Sequence, residues 1–214
     1  MRNIKLKFLK TLIITTCLFV GTYANATLIT SSTISTTGSF YHDVSLINDG
    51  IIPAESTQWS NDSNVWWIGI EPTFTLDFGN LYKIDDVLLS VDNNDYYEIT
   101  WSNDLLSWTN LFSIVPSDGE VTERKGGMDT MSTDLDNHDY ITALDFSSVQ
   151  ARYLRITATG GDNLYSIGEF QAYGSLAITK LSAKESTSVP EPSTFAIFAL
   201  GMIGLASRRF KKKC

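Results

Sequence analysis

The sequence predicts an all-β fold, either an antiparallel β-sandwich or a barrel. Residues 27–180 show almost no helical periodicity, and short runs of β-branched and aromatic residues alternate there with clusters of Asp, Asn, Gly and Ser. This spacing is typical of antiparallel β-proteins. Residues 73–78 alternate strictly between polar and apolar side chains and are followed by Gly79. The alternation predicts a strand with one buried face that ends at this glycine.

The remaining strands are predicted from similar runs, and turn residues separate them. They are residues 87–91, 96–101, 152–158 and 165–173. The Asp/Asn run 92–95 and the glycine-containing run 160–163 are the predicted turns. Residues 116–140 are rich in Gly, Asp and Thr and show little pattern. We therefore expect a long loop there, and long loops in small domains often carry function.

The N-terminus reads as a secretory signal peptide. Four basic residues lie within the first ten positions and precede the apolar stretch 11–20, and Ala24-Asn25-Ala26 follows. Small residues on both sides of one intervening position form a signal-peptidase cleavage site. The sequence therefore predicts that signal peptidase removes residues 1–26.

The C-terminus carries three ordered features. Pro190-Glu191-Pro192 interrupts regular structure, residues 195–206 form a predicted apolar helix, and residues 208–213 are basic. The apolar run is shorter than the roughly 20 residues of a comfortable membrane span. This segment resembles the PEP-CTERM sorting tail. The resemblance implies transient insertion in the inner membrane, processing by an exosortase-type transpeptidase, and export to the cell surface or extracellular matrix of a Gram-negative bacterium. An ordinary tail anchor is the alternative.

These end segments leave about 160 residues to fold, enough for one domain with a hydrophobic core. The predicted organisation is a signal peptide at 1–26, a β-sandwich domain at 27–178, a linker at 179–188 and a sorting tail at 189–214. Both cysteines, Cys17 and Cys214, lie in the end segments. The domain therefore has no disulfide, and its stability must come from its core, helped by a metal ion if one binds.

Charge excludes one class of partner. The chain carries a net charge of −8, to which the signal peptide and the tail each contribute +4, so that residues 27–189 carry −16. Such a domain repels phosphate backbones, so nucleic acid is not an expected partner. The charge suits calcium, cationic surfaces and a hydrated polysaccharide matrix. It is equally explained as a solubility feature of an exported protein.

Six short motifs resemble, in their order, those of the discoidin or coagulation-factor C-domain family. They are Asn48-Asp49-Gly50, residues 57–60, residues 76–79, residues 97–104 with Trp108, residues 151–156, and Ile167-Gly168-Glu169-Phe170. The resemblance covers about residues 45–175. It implies an eight-stranded jelly roll of the galactose-binding-like type. It also implies a domain that binds glycans, lipids or proteins through its loops and is not itself catalytic.

The same resemblance implies a structural calcium ion. Carried over to this sequence, its ligands are Asp49 and Thr57 in the early loop and Glu169 near the end of the domain. Calcium prefers six to eight hard oxygen ligands, which such a loop supplies. The alternative is that Asp49-Gly50 forms only a turn and that Glu169 is solvated or paired with an arginine.

The candidate ligand-binding residues combine aromatic and planar polar side chains, because a sugar needs an aromatic face and a few oriented polar groups. They are Trp66, Trp67, Asn93, Asn94, Asp95, Tyr96 and Arg124. Core packing is the alternative for the tryptophans and the favoured reading for one of them, and a simple turn is the alternative for the Asn/Asp run. Galactose-binding relatives often carry a histidine where this chain has Ser60, so the resemblance does not extend to galactose.

The sequence does not suggest an enzyme. Neither His42 nor His138 lies in a nucleophile-elbow, zinc or triad pattern. The expected function is that of an exported, noncatalytic protein that binds a carbohydrate or another matrix component. A structural matrix protein without a defined ligand and, less favoured, a secreted hydrolase are the alternatives.

Overall fold

The computed structural model describes residues 26–30, 33–121 and 126–177. Arg124 and nearly all of the predicted signal peptide lie outside the described residues. The predicted linker and the sorting tail with its apolar helix lie outside them as well. Within the described ranges, no helix is long and apolar enough to span a membrane.

The described residues form nine strands, and all pairings between these strands are antiparallel. The strands are β1 (Thr27–Leu28), β2 (Thr33–Thr37), β3 (Val65–Ile68), β4 (Thr73–Asp92), β5 (Tyr96–Ser102), β6 (Thr109–Ile114), β7 (Met128–Ser132), β8 (Val149–Gly160) and β9 (Leu164–Leu176). Two short 3-10 helices span Val44–Asn48 and Thr142–Leu144. The predicted antiparallel β-sandwich is confirmed. The strands outnumber the expected eight because short edge strands, such as the two-residue β1, add to the sheet.

The length of strand β4 differs from the sequence prediction. The sequence predicted two strands, over 73–78 and 87–91, but the structure has one strand of 20 residues. The pairing of β4 with β8 shifts register between Asp77 and Tyr82. Gly79 lies inside this irregularity with a φ of 72°. The glycine therefore marks a bulge within a continuous strand, and pairing resumes beyond it.

The bulge lets β4 serve both layers of the sandwich. Its first part pairs with β2 and β8, and its second part pairs with β7 and β9. The path of hydrogen-bonded strands runs β1-β9-β4-β8-β5-β6. The core between the layers is fully apolar or aromatic and includes Phe74, Leu76, Leu89, Tyr97, Ile99, Ile156, Tyr165, Ile167 and Phe170.

Strand β7 lies within the stretch 116–140, which was predicted to be a loop, so this second prediction is wrong for residues 128–132. All five of its residues are buried, and they pair with the last residues of β4. Their sequence, Met-Asp-Thr-Met-Ser, has neither the alternation nor the β-branched content of a typical strand. Tertiary pairing therefore overrides a weak local signal here.

The second half of β4 is buried on both faces. Val87, Leu89 and Val91 point into the core, so the alternating residues Ser90 and Asp92 point to the outer face. That outer face is covered by the chain segment 49–57. Pro53 of this segment packs so closely on Gly168 that a side chain at Gly168 would collide with it. The segment 49–57 thus covers the outer face of β9, β4 and β7, and we call it the roof segment.

Candidate functional site

Three aromatic rings form a cluster on the outer face of β3, here called the aromatic platform (Tyr41, Trp59 and Trp66). The ring of Tyr41 stacks on Trp66 with centroids 3.9 Å apart and planes inclined by 10°. Trp59 meets Trp66 edge to face at 5.1 Å. Tyr41 is 50% exposed. The platform therefore presents an aromatic face to solvent.

Backbone pairing fixes the platform in place. The Tyr41 N–H donates to the Trp66 carbonyl oxygen at 2.8 Å, and the Trp66 N–H donates back at 3.4 Å. The next residue, His42, has a φ of 71°, which is uncommon outside glycine. Its Nδ1 donates to the Asn64 carbonyl oxygen at 2.7 Å. The stacked rings are therefore held by two chain segments that lie far apart in the sequence.

Polar groups lie beside the platform. The His42 ring meets Trp66 edge to face at 6.4 Å, and His42 Nε2 lies 3.7 Å from Oδ1 of the exposed Asp62. An imidazole and a carboxylate next to an aromatic face can hydrogen-bond the hydroxyl groups of a stacked sugar. The arrangement suits recognition of a polyhydroxylated ring.

Trp67 does not belong to this surface. Its side chain is completely buried. It packs in the core against Phe74 at 4.8 Å, Tyr165 at 5.8 Å and Tyr97 at 6.4 Å. Because adjacent strand residues point to opposite faces, the outward position of Trp66 places Trp67 inside. The expectation that Trp67 contacts a ligand is corrected accordingly, and its role is core packing.

Two candidates in the β4–β5 turn are also buried. Asn93 Nδ2 donates to the Val121 carbonyl oxygen, and Asn93 is fully buried. The Asp95 carboxylate accepts from the Asp162 backbone N–H at 3.1 Å, and Asp95 is fully buried as well. Burial raises the pKa of Asp95 to about 8, and the charges of Asp92 and Asp162 add to the shift. Both side chains therefore connect loops of the protein.

Asn94 and Tyr96 flank these buried residues and reach solvent. Asn94 Nδ2 donates to Asp162 Oδ2 at 3.0 Å across to the β8–β9 turn. Tyr96 is 45% exposed and its ring lies beside Gly160. These two residues form the turn surface.

The structure brings Asp49 and Glu169 together. Glu169 is fully buried, and its Oε2 accepts from the Gly50 N–H at 3.2 Å. Burial raises the pKa of Glu169 to about 7, and the charge of Asp49 adds to this shift. A cavity of about 190 Å³ adjoins these residues and is lined by Asn48, Asp49, Gly50, Glu169 and Gln171 among others.

The carboxylates of Asp49 and Glu169 are ligands of the kind that a hard cation prefers. Glu169 Oε1 is buried without a hydrogen-bond partner in the described chain, and a buried carboxylate oxygen in that state gains most from a positive charge. No group of three or more His, Cys, Asp or Glu side chains close enough for a metal occurs in the described ranges. Further ligands would therefore have to be neutral oxygens, which calcium accepts.

Thr57 lies elsewhere. Its carbonyl oxygen accepts from the Met128 N–H at 2.8 Å, and its N–H donates to the Ala54 carbonyl oxygen at 3.0 Å. Met128 belongs to β7, which pairs with β4 on the side opposite β9. The structure therefore brings Asp49 and Glu169 together but shows Thr57 in contact with neither.

Sequence reasoning missed Tyr41, His42 and Asp62 at the platform, and it did not include Trp59 among the ligand-binding candidates. Tyr41 and His42 follow β2 in an irregular stretch with no motif. They meet Trp66 only through one isolated β-bridge between Tyr41 and Trp66. Local sequence carries no signal for such a contact.

A match over nearly the whole length of the domain identifies its family. Residues 29–170 match the family described as F5/8 type C domain, which is well over half of the chain. The chain belongs to the F5/8 type C domain family. Residues 188–212 match the PEP-CTERM protein-sorting motif. The F5/8 type C domain is therefore followed by a signal that marks exported proteins, as the sequence predicted.

Several solved structures are similar to this F5/8 type C domain. CpGH89CBM32-5 from Clostridium perfringens, in complex with GalNAc-β-1,3-galactose, is 17% identical with a TM-score of 0.44 and covers 70% of this chain and 99% of its own. The CBM32 of AlyQ, in complex with 4,5-unsaturated mannuronic acid, is 17% identical with a TM-score of 0.43 and covers 70% and 98%. A fucolectin from striped bass (Morone saxatilis) serum is 13% identical with a TM-score of 0.49 and covers 71% and 50%. No curated protein matches the sequence.

Proposed function

We propose that this exported F5/8 type C domain binds carbohydrate and acts without catalysis at the cell surface or in the exopolysaccharide matrix. One observation carries the proposal: the half-exposed ring of Tyr41 is stacked on Trp66. The C–H face of a pyranose packs on such a ring, and His42 and Asp62 hydrogen-bond its hydroxyl groups.

Recognition is passive in this proposal. The ring of Tyr41 is oriented before the ligand arrives, because its backbone is paired to Trp66. A preorganised site loses little conformational entropy on binding. The charge of −16 over residues 27–189 favours a neutral glycan over a polyanionic one. Asn94 and Tyr96 on the turn surface are a second contact for a longer chain of sugars.

Calcium has a structural role in the proposal. Asp49 and Glu169 hold the ion and connect the early loop to β9 in a domain that has no disulfide. When bound, calcium supplies positive charge to the buried Glu169 carboxylate and to the exposed Asp49 beside it. At a free calcium concentration 100-fold above its dissociation constant, such a site stabilises the fold by about 2.7 kcal/mol.

A glycan array with the purified protein tests the proposal. We expect binding restricted to a subset of glycans, lost in Trp66→Ala and retained in Trp108→Ala. Trp108 is a matched control because it lies beyond the opposite end of β5, where its ring is covered by the Arg155 guanidinium at 3.9 Å. An array without binding supports a structural matrix role instead. Equal loss in both variants contradicts the platform as the binding site.

A further inference from the structure

Three polar side chains form one row across the outer face of the sheet. Ser90 of β4 is paired with Glu169 of β9 on one side and with Thr130 of β7 on the other. Residues directly opposite each other in antiparallel strands point to the same face, with Cβ atoms about 4.5–5.5 Å apart. Glu169, Ser90 and Thr130 therefore lie side by side. We call them the polar row.

Each member of the polar row has a buried oxygen without a partner. Exposure is 0% for Ser90, 4% for Thr130 and 0% for Glu169. Ser90 Oγ, Thr130 Oγ1 and Glu169 Oε1 all have no hydrogen-bond partner among the residues that the structure describes. Leaving one such group unsatisfied costs about 1–3 kcal/mol. Three in one row indicate a ligand that all of them share.

The roof segment 49–57 is attached at both ends of the polar row. At one end the Gly50 N–H donates to Glu169 Oε2 at 3.2 Å. At the other end the Thr130 N–H donates to Glu55 Oε1 at 3.0 Å. Pro53, which lies between Gly50 and Glu55 in the sequence, packs on Gly168. The unpartnered oxygens thus face the underside of this loop, out of contact with bulk water.

We propose that calcium binds on the polar row, with Ser90 Oγ and Thr130 Oγ1 as neutral ligands beside the carboxylates of Glu169 and Asp49. This rests on the calcium proposed above and replaces Thr57, whose contacts lie with Met128 at the edge of β7. Calcium–oxygen distances of about 2.3–2.6 Å let one ion reach oxygens up to about 5 Å apart. Paired positions in neighbouring strands have Cβ atoms about 4.5–5.5 Å apart, so the oxygens on these side chains are within reach of one shared ion.

Charge favours an ion over a buried water molecule. Asp49 and Glu169 form no ion pair with Lys, Arg or His in the described part of the chain, whereas Asp77 and Asp85 do. A water molecule would satisfy the hydroxyl groups but would leave the buried Glu169 carboxylate, beside the exposed Asp49, without a counter-charge. A divalent cation satisfies both requirements.

The test compares calcium affinity and thermal stability in Ser90→Ala, Thr130→Val and the control Thr57→Val, using the full-length protein. Without calcium, Ser90→Ala and Thr130→Val should match or exceed the wild-type Tm, because each removes an unsatisfied buried hydroxyl. With calcium, each should weaken binding by about tenfold as one ligand is lost, and the calcium-induced rise in Tm should shrink. Thr57→Val should bind calcium as the wild type does.

Two results overturn the inference, and they differ from each other. In the first result the wild type binds calcium and Glu169→Gln abolishes that binding, but Ser90→Ala and Thr130→Val leave it unchanged. The ion is then bound by the carboxylates, and the hydroxyl groups of Ser90 and Thr130 are not its ligands. If the wild type shows neither calcium binding by calorimetry nor a calcium-dependent Tm, the calcium site itself is wrong. Glycan binding is measured separately and is unaffected by either outcome.

Discussion

Tyr41 and Trp66 stack ring on ring, with centroids 3.9 Å apart, although they come from the irregular stretch after β2 and from β3. The β-bridge between their backbones holds the two rings parallel. Because Tyr41 covers one face of Trp66, the half-exposed Tyr41 ring is the outer ring of the pair. This relationship separates the two adjacent tryptophans into one surface residue and one core residue.

Tyr41→Ala should weaken glycan binding with little change in stability. The ring supplies the stacking surface, and an aromatic contact contributes about 0.5–1.5 kcal/mol beyond the area that it buries. We therefore expect isothermal titration to show a loss of tenfold or more in affinity for a glycan identified on the array. Tyr41→Phe keeps the ring and should retain most of the affinity. Equal losses in both variants would show that the hydroxyl group, not the ring face, makes the contact.

Trp67→Ala should destabilise the fold strongly. The side chain is fully buried against Phe74, Tyr97 and Tyr165, and removal of such a residue costs about 3–5 kcal/mol. The free energy of unfolding from denaturant titration measures this loss. Trp66→Ala, on the outer face, should cost about 1–2 kcal/mol. A reversed order of the two variants would contradict the assignment of faces on β3.

The protein should lose stability as the pH rises from about 5 to 8 in the absence of calcium. Burial raises the pKa of Asp95 from 3.8 to about 8, so the folded state keeps a proton that the unfolded chain releases. The contribution of Asp95 is thus fully present below about pH 4 and is lost as the pH rises through about 8. Tm measured against pH in chelator should show this fall.

Asp95→Asn should flatten part of that pH dependence, because the amide does not titrate. Burial raises the pKa of Glu55 and of Glu169 to about 7, and these groups account for the remainder. Asp77 serves as a control, because its pKa is shifted in the opposite direction to that of Asp95. Its hydrogen bond to Arg152 lowers the pKa of its carboxyl, so Asp77→Asn should leave the slope between pH 5 and 8 unchanged. A Tm that rises over this interval in the wild type is the opposite of what we expect.

Substitution of both Pro190 and Pro192 by alanine should block processing of the sorting tail. The two prolines interrupt regular structure ahead of the apolar run, and residues 188–212 match the PEP-CTERM motif. We expect mass spectrometry to find the C-terminal residues still attached and cell fractionation to find the protein in the membrane fraction. Normal release of the double variant would mean that the prolines are not part of the signal.

Alternation made most of the fold predictable. Residues 73–78 alternate because one face of β4 is buried, and much of β8 carries the same pattern. Gly79 misled the prediction because a glycine with positive φ serves a bulge as well as a turn. Strand β7 was missed because its two buried methionines do not alternate with polar residues, and its polar residues are buried by the second half of β4 and the loops around it.

The candidate site was less predictable, and for a different reason. Asp49 and Glu169 were found because each lies in a motif that the sequence displays. Tyr41, Ser90 and Thr130 were not found, because their importance comes from cross-strand neighbours: Trp66 for Tyr41, and Glu169 for Ser90. One-dimensional pattern reading does not identify such partners, since register between distant strands is set by the packing of the whole sandwich.

The most direct test of glycan recognition follows the five tryptophan indole N–H signals by NMR during titration with a glycan identified on the array. We expect the signals of Trp66 and Trp59, which share the aromatic platform, to shift at saturating ligand concentration. The signals of Trp67, Trp101 and Trp108 should not shift. Shifts confined to Trp108, or no shift in any indole at concentrations that saturate binding, would contradict this expectation.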